Sequence, residues 1–188
     1  MARGRKTDKI KRITKRQGET MKALGRTGAI TSQNANKYFE LNNSNAKKME
    51  RNGFIKIEKI YIPKEGVKEI FKLNDKGKHW LKNEQNMDAL YRTNNKQIQH
   101  DLKLNQFYCQ LKEEQRNSWI NENQIIKDWN SLANTNTVRQ GTIDAMVIVD
   151  GVRIGVEVIT NNYGEEEIQS KENAARDLEC EKMVMIRA

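Results

Sequence analysis

Residues 142–159 read TIDAMVIVDGVRIGVEVI, and no other stretch limits the fold so tightly. Two apolar, largely β-branched runs flank Asp150-Gly151, the dipeptide favoured in two-residue type I′ hairpin turns, where both positions need positive φ. A hairpin closed there pairs Val149 with Val152 and, stepping outward, sets Asp144 directly opposite Glu157. Residues so opposed on antiparallel strands share one face with Cβ atoms about 5 Å apart, and like charges in that relation are destabilising. Their neighbours Ile143, Ala145, Val156 and Val158 supply no counter-charge. Three agents can neutralise the pair. One is a divalent cation such as Mg²⁺, bound by both carboxylates with waters and phosphate oxygens. The second is a shared proton. The third is a basic side chain from another element, and Lys171 is the candidate: in EEEIQSKENAARDLE it shares the helical stripe of Ile168, Ala175 and Leu178. The bland alternative is a sheet edge open to solvent.

The distribution of charge says what such a site would meet. The chain is +9 over 188 residues, but the first 104 hold 25 Lys and Arg against 11 Asp and Glu, and the rest hold 9 against 14. A basic excess confined to one part concentrates anions there and favours polyphosphates through counterion release, so double-stranded DNA is the expected partner. No apolar run approaches the roughly 20 residues that span a bilayer, and no apolar segment follows the basic N-terminus, so a cytoplasmic protein without a membrane partner is expected. Cys109 and Cys180 are expected as reduced thiols, and His79 and His100 show no ligand spacing with them that would suit zinc. A phosphate-binding GxxxxGK[ST] loop is absent from the sequence, and so is the paired-histidine motif of a rolling-circle relaxase.

Eight of the first 16 residues are Lys or Arg, which suits an arm along a phosphate backbone, with Arg3, Arg5 and Lys6 as contacts; a solubilising tail is the plainer alternative. A short helix around Met21 and Leu24 is expected to end near Gly25 to Gly28. Thr31 or Ser32 then caps a second helix through Phe39, and Ser44 opens a third closed by Gly53. Two strands, FIKIEKIYI and VKEIFKL, flank the turn PKEG, and NDKGKHWL closes the unit. This is the order of a winged helix-turn-helix, whose third helix enters the major groove. With Ala46 and Met49 turned inward, Asn45, Lys47, Lys48 and Arg51 point out, and Lys56, Lys59 and Lys64 on the hairpin add phosphate contacts. Domains of this shape that bind only proteins are the alternative.

The expected division is an arm over 1–16, a winged helix over 17–83, a linker over 84–98 and a second domain over 99–188. In the last, Leu104, Phe107, Tyr108 and Leu111 mark one buried helical face. SWI and QIIKDW are strand candidates, followed by the polar loop SLANTNTVRQG, the hairpin, a helix from about Glu165 to Glu179, and a final strand EKMVMIR. The overall expectation is an α+β protein whose second domain has the order αβββαβ.

A strand-borne Asp, a hairpin and a Glu on the next strand in that order resemble the restriction-endonuclease-like, or PD-(D/E)XK, fold. More narrowly, HDLKLNQFYCQL, TIDAMVI with Asp144 and GVEVITNNYGEEEIQSK with Glu157 and Lys171 resemble the plasmid replication-relaxation family, which joins a winged helix to such a domain. The resemblance implies a DNA-binding protein of a plasmid or other mobile element, acting in replication, relaxation or transfer beside other proteins of those processes, with a homodimer as a compatible state. It also implies a catalytic set of Asp144, Glu157 and Lys171, with Mg²⁺ on the two acids. Two departures bear on activity. Ile159 stands where active nucleases of the fold carry Lys, and Ile143 stands where Pro precedes the Asp. Three readings stay open: a binding protein with a degenerate nuclease-like core, a Mg²⁺-dependent nicking or cleaving nuclease, and a winged-helix transcriptional regulator. Glu113 and Glu114 are candidates for a third carboxylate of the nuclease, with ordinary solvent-facing helix charges as the favoured reading, and His100 is expected as a packed, hydrogen-bonded side chain rather than a catalytic one.

Overall fold

The computed structural model describes residues 9–132 and 142–188. Arg3, Arg5 and Lys6 lie outside them, as does nearly all of the expected polar loop. The described residues form a mixed α+β protein of eight α-helices and two sheets.

The first half runs α1 (Lys15–Thr27), β1 (Ala29–Thr31), α2 (Ser32–Phe39), α3 (Asn43–Arg51), β2 (Ile55–Ile62), β3 (Gly66–Leu73) and α4 (Asp75–Gln85). Local chemistry fixes the ends. Thr14 and Gln17 close a capping box on α1, and Gly28 takes φ +85 at its C-terminus. Thr31 Oγ1 accepts from the Asn34 amide to start α2. The third helix starts earlier than Ser44: Asn42 Oδ1 accepts from the Asn45 amide, because an Asn one turn ahead meets the orphan N–H first. The strands form an antiparallel sheet in the order β1-β3-β2. Its helix-facing side carries Ile30, Phe71 and Ile55. Gly77 is where α4 crosses this sheet, since a Cβ there would stand 2.2 Å from the Phe54 carbonyl oxygen.

The second half runs α5 (Ile98–Gln110), α6 (Glu113–Asn117), β4 (Ile120–Asn121), α7 (Glu122–Leu132), β5 (Ala145–Val149), β6 (Val152–Ile159), α8 (Glu165–Asp177) and β7 (Lys182–Arg187). The sheet order is β4-β5-β6-β7, antiparallel except for β6 with β7, which are parallel and joined by α8. QIIKDW is a helix, not the expected strand. Asn121 Oδ1 accepts from the Gln124 amide at 3.0 Å, Gln124 bonds Asp128 one turn on, and Ile125 is buried, so cap and turn-to-turn bonding outweigh the β-branched pair. Only the end of SWI is strand.

The two halves share one core. Met21, Leu24 and Phe71 belong to the same apolar cluster as Leu104, Tyr108, Trp119 and Val156, and Tyr108 meets Trp119 edge-on at 5.2 Å. Within it, Asn105 Nδ2 donates to Thr27 Oγ1 at 2.9 Å with both residues fully buried. Residues 84–98 lie along this seam: the Tyr91 amide donates to the Gly25 carbonyl, and Asn121 and Asn123 donate to the carbonyls of Ala89 and Leu90. Ile10 and Ile13, from the basic N-terminal stretch, also rest on the core. Cys109 and Cys180 are free thiols. Among the described residues no helix is long and apolar enough to cross a membrane.

Candidate functional site

Asp150 and Gly151 both take positive φ, +51 and +82, as a type I′ turn demands. The ladder from Val149↔Val152 to Ala145↔Val156 therefore holds the register in which Asp144 meets Glu157. The Asp144 amide donates to Glu157 Oε2 at 3.0 Å, and the Val158 amide donates to Asp144 Oδ2 at 2.7 Å. Both side chains are buried, Glu157 completely.

Protein cations neutralise them. The Lys171 ammonium stands 2.7 Å from Glu157 Oε1 and donates to the Thr142 carbonyl at 2.6 Å, so a lysine on an otherwise apolar helical stripe does reach the sheet. The Tyr163 hydroxyl donates to the same Oε1 at 2.8 Å. On the other acid, His100 Nε2 lies 2.9 Å from Asp144 Oδ2, while His100 Nδ1 lies 3.4 Å from Asp101 Oδ1. Asp101 is held in turn by the hydroxyls of Tyr91 and Thr93. An imidazole flanked by carboxylates at both nitrogens donates from both when protonated. Burial opposes that proton, but hydrogen bonds to Asp101 and Asp144 outweigh it and raise the His100 pKa to about 10.

A third acid is present that sequence reasoning missed. Glu122, at the start of α7, donates its backbone amide to the Asp144 carbonyl at 2.8 Å. Its carboxyl pKa is raised, by burial and then by the Asp144 charge. Glu157 is raised for the same two reasons, in the same order, against the opposing pull of Lys171. Nothing in the sequence announced Glu122, because its approach depends on a helix expected as a strand. Glu113 and Glu114, the candidates for a third carboxylate, face solvent on α6, as the favoured reading of ordinary helix charges has it, and Glu113 pairs with Lys15. The Thr142 hydroxyl is buried beside Lys171 without a hydrogen-bond partner among the described residues.

This donor set does not fit Mg²⁺. Oδ2 of Asp144 and both oxygens of Glu157 already accept from amides, ammonium, phenol or imidazole. Among the described residues no group of three His, Cys, Asp or Glu converges as metal ligands do. As arranged, the cluster is an ion-pair network closed upon itself.

The basic half presents its charges differently. Lys47 and Arg51 are exposed on α3, Asn45 and Lys48 are half-buried along the same helix, and Ala46 and Met49 are buried beneath it. Glu50 Oε1 accepts from the Ile57 amide at 2.9 Å, tying this helix to the hairpin. The hairpin lysines do not form one patch, because alternate residues of a strand point to opposite faces. Lys59 shares the face of Ile57 and Tyr61. Lys56 is on the other, paired with Glu58 at 2.7 Å, and Glu58 also binds Lys72 at 2.8 Å. Lys64 is exposed in the turn, with φ +66. Tyr61 and Val67, cross-strand partners 72% and 66% exposed, form an apolar hairpin tip beside these lysines. No protein-family model, curated protein or solved structure matches the chain.

Proposed function

We propose that this protein binds double-stranded DNA through residues 15–85 acting as a winged helix-turn-helix, with α3 in the major groove and the β2–β3 hairpin against the backbone. The observation that carries the reading is the division of α3 into a buried side of Ala46 and Met49 and an opposite side on which Lys47 and Arg51 are exposed, with Asn45 and Lys48 half-buried at its margins. Short polar and cationic side chains on one helix face, tied to a hairpin, suit base edges flanked by phosphates. Arg3, Arg5 and Lys6 extend this electrostatic footprint in the reading. In this reading residues 99–188 are a restriction-endonuclease-like domain, which the meeting of Asp144 with Glu157 across the hairpin supports, and the ion pairs of Lys171 and His100 give the two acids a structural role. The resemblance of the sequence to replication-relaxation proteins supports a role in plasmid or mobile-element replication, relaxation or transfer.

The test is binding of a labelled duplex across a salt series. Affinity should fall linearly with the logarithm of salt, and Lys47→Ala with Lys48→Ala should lower both affinity and slope. Wild-type affinity and slope in that variant would move the DNA surface off α3. A second reading, a metal-dependent nuclease, has in its favour only the nearness of a third acid, Glu122, whose pKa the Asp144 charge helps to raise. It demands nicked or linear plasmid in Mg²⁺ or Mn²⁺ that Asp144→Asn abolishes, whereas a structural cluster leaves supercoiled plasmid intact.

A further inference from the structure

A groove of about 690 Å³ opens between α2, the hairpin tip and the outer face of α5. Its walls bring together lysines from three elements distant in sequence: Lys37 from α2, Lys64 and Lys68 from the hairpin, and Lys103 from α5. Glu65 is the one acidic side chain that lines it, and Glu65 lies 3.9 Å from Lys68 with both partly exposed, a pairing too loose to cancel the charge. Lys37, Lys64 and Lys103 form no ion pair among the described residues, and the Lys37 ammonium rests 4.8 Å above the Tyr38 ring. Between the lysines the lining is rich in side-chain amides, among them Gln33 and Gln106.

Four cations facing a single, loosely paired carboxylate repel one another, and a bound polyanion removes that cost. The remaining lining narrows the ligand. An amide both donates and accepts, so it meets the edge of any base, and a groove of amides and lysines suits exposed bases on a phosphate chain. Size separates the strand forms. A hollow of this volume is about 11 Å across if spherical, whereas a B-form duplex spans a major groove of about 12 Å together with the strands on either side of it, so a duplex can lie only over the hollow while one strand lies within.

We propose that this groove is a second nucleic-acid site, which holds a single strand through phosphate contacts to Lys37, Lys64, Lys68 and Lys103. The hairpin, with Lys64, borders both surfaces, but no α3 residue lines the groove and neither Lys37 nor Lys103 is assigned to the duplex, so changes at those two lysines test the groove apart from the duplex reading.

The experiment uses the full chain and fluorescence anisotropy with a labelled oligothymidylate of about 12 nucleotides and, separately, a labelled duplex. Lys37→Glu with Lys103→Glu should weaken oligothymidylate binding by about tenfold or more and flatten its salt dependence, at about 0.7 per lost contact for single strands, while duplex affinity holds. Lys47→Ala with Lys48→Ala should do the converse. Thermal melts of each variant establish that it folds; if the double reversal fails to fold, Lys37→Gln with Lys103→Gln replaces it, with the same pattern expected. The proposal is overturned if wild-type protein ignores the oligothymidylate at low salt, if the groove variant binds it unchanged, or if the variant loses strand and duplex in equal measure. Loss of duplex binding alone in the α3 variant leaves the groove standing, and failure of the groove leaves the α3 reading standing.

Discussion

The two halves of this molecule handle charge in opposite ways. On α3 and the hairpin tip Lys47 and Lys64 stand in water, and apolar residues anchor the elements that carry them. In the second half Asp144 and Glu157 are buried and met at 2.7–2.9 Å by Lys171 and His100. Exposed charges contribute little to folding and remain free for a ligand. Buried charges lose hydration and hold the fold only as long as their partners stay. One sequence thus contains a surface whose residues can be changed at small structural cost, and a centre where removing one member strands the others.

The largest effect expected of that contrast is at the centre. Lys171→Met should cost about 3–5 kcal/mol, the usual penalty for leaving a buried charge unpaired, measured by urea denaturation. Adding Glu157→Gln should return part of the loss, and a cost under about 1 kcal/mol for the single change would mean that the pair is solvated.

Next is the surface. Lys47→Ala with Lys48→Ala should weaken duplex binding by about tenfold and lower the salt slope by about 2, while the denaturation midpoint stays near wild type. A large loss of stability would erase the distinction between the halves.

A smaller effect lies in pH dependence. His100 has its pKa raised from 6.5 to about 10, so the folded state holds a proton that the unfolded chain gives up above pH 6.5. The stability it contributes is complete below 6.5 and lost as pH rises towards 10. Denaturation across this window should show declining stability, and His100→Gln should flatten the decline. An unchanged profile would show that His100 is neutral in the fold. Smallest is Lys15→Ala, which removes the pair with Glu113; both side chains are more than half exposed, and well under about 1 kcal/mol should be lost.

What the sequence disclosed followed from local rules. Asp150-Gly151 carried the register of a whole hairpin, and with it the meeting of two acids, because a two-residue turn leaves no freedom of pairing; the reach of Lys171 was legible from its place on the apolar stripe of α8. Thr31 and Gly28 marked helix ends for similarly short-range reasons. Glu122 was hidden because α7 is specified by an Asn cap and an i,i+4 bond that compete with a β-branched pair, and local preference weighs both about equally. The separation of Lys56 from Lys59 was legible from strand alternation but obscured by counting charge. Tyr61 and Val67 became visible only as cross-strand partners.

The seam between the halves carries one more consequence. Asn105 reaches Thr27 inside a continuous core, and the stretch through Tyr91 is stitched to α1 on one side and to β4 and α7 on the other. Severing the chain there would leave two fragments, each with a raw greasy flank and an amide or hydroxyl robbed of its mate. A head grafted onto a foreign tail would inherit the same wound, so exchange of parts between such molecules should succeed only when the breakpoint carries α5 along with α1.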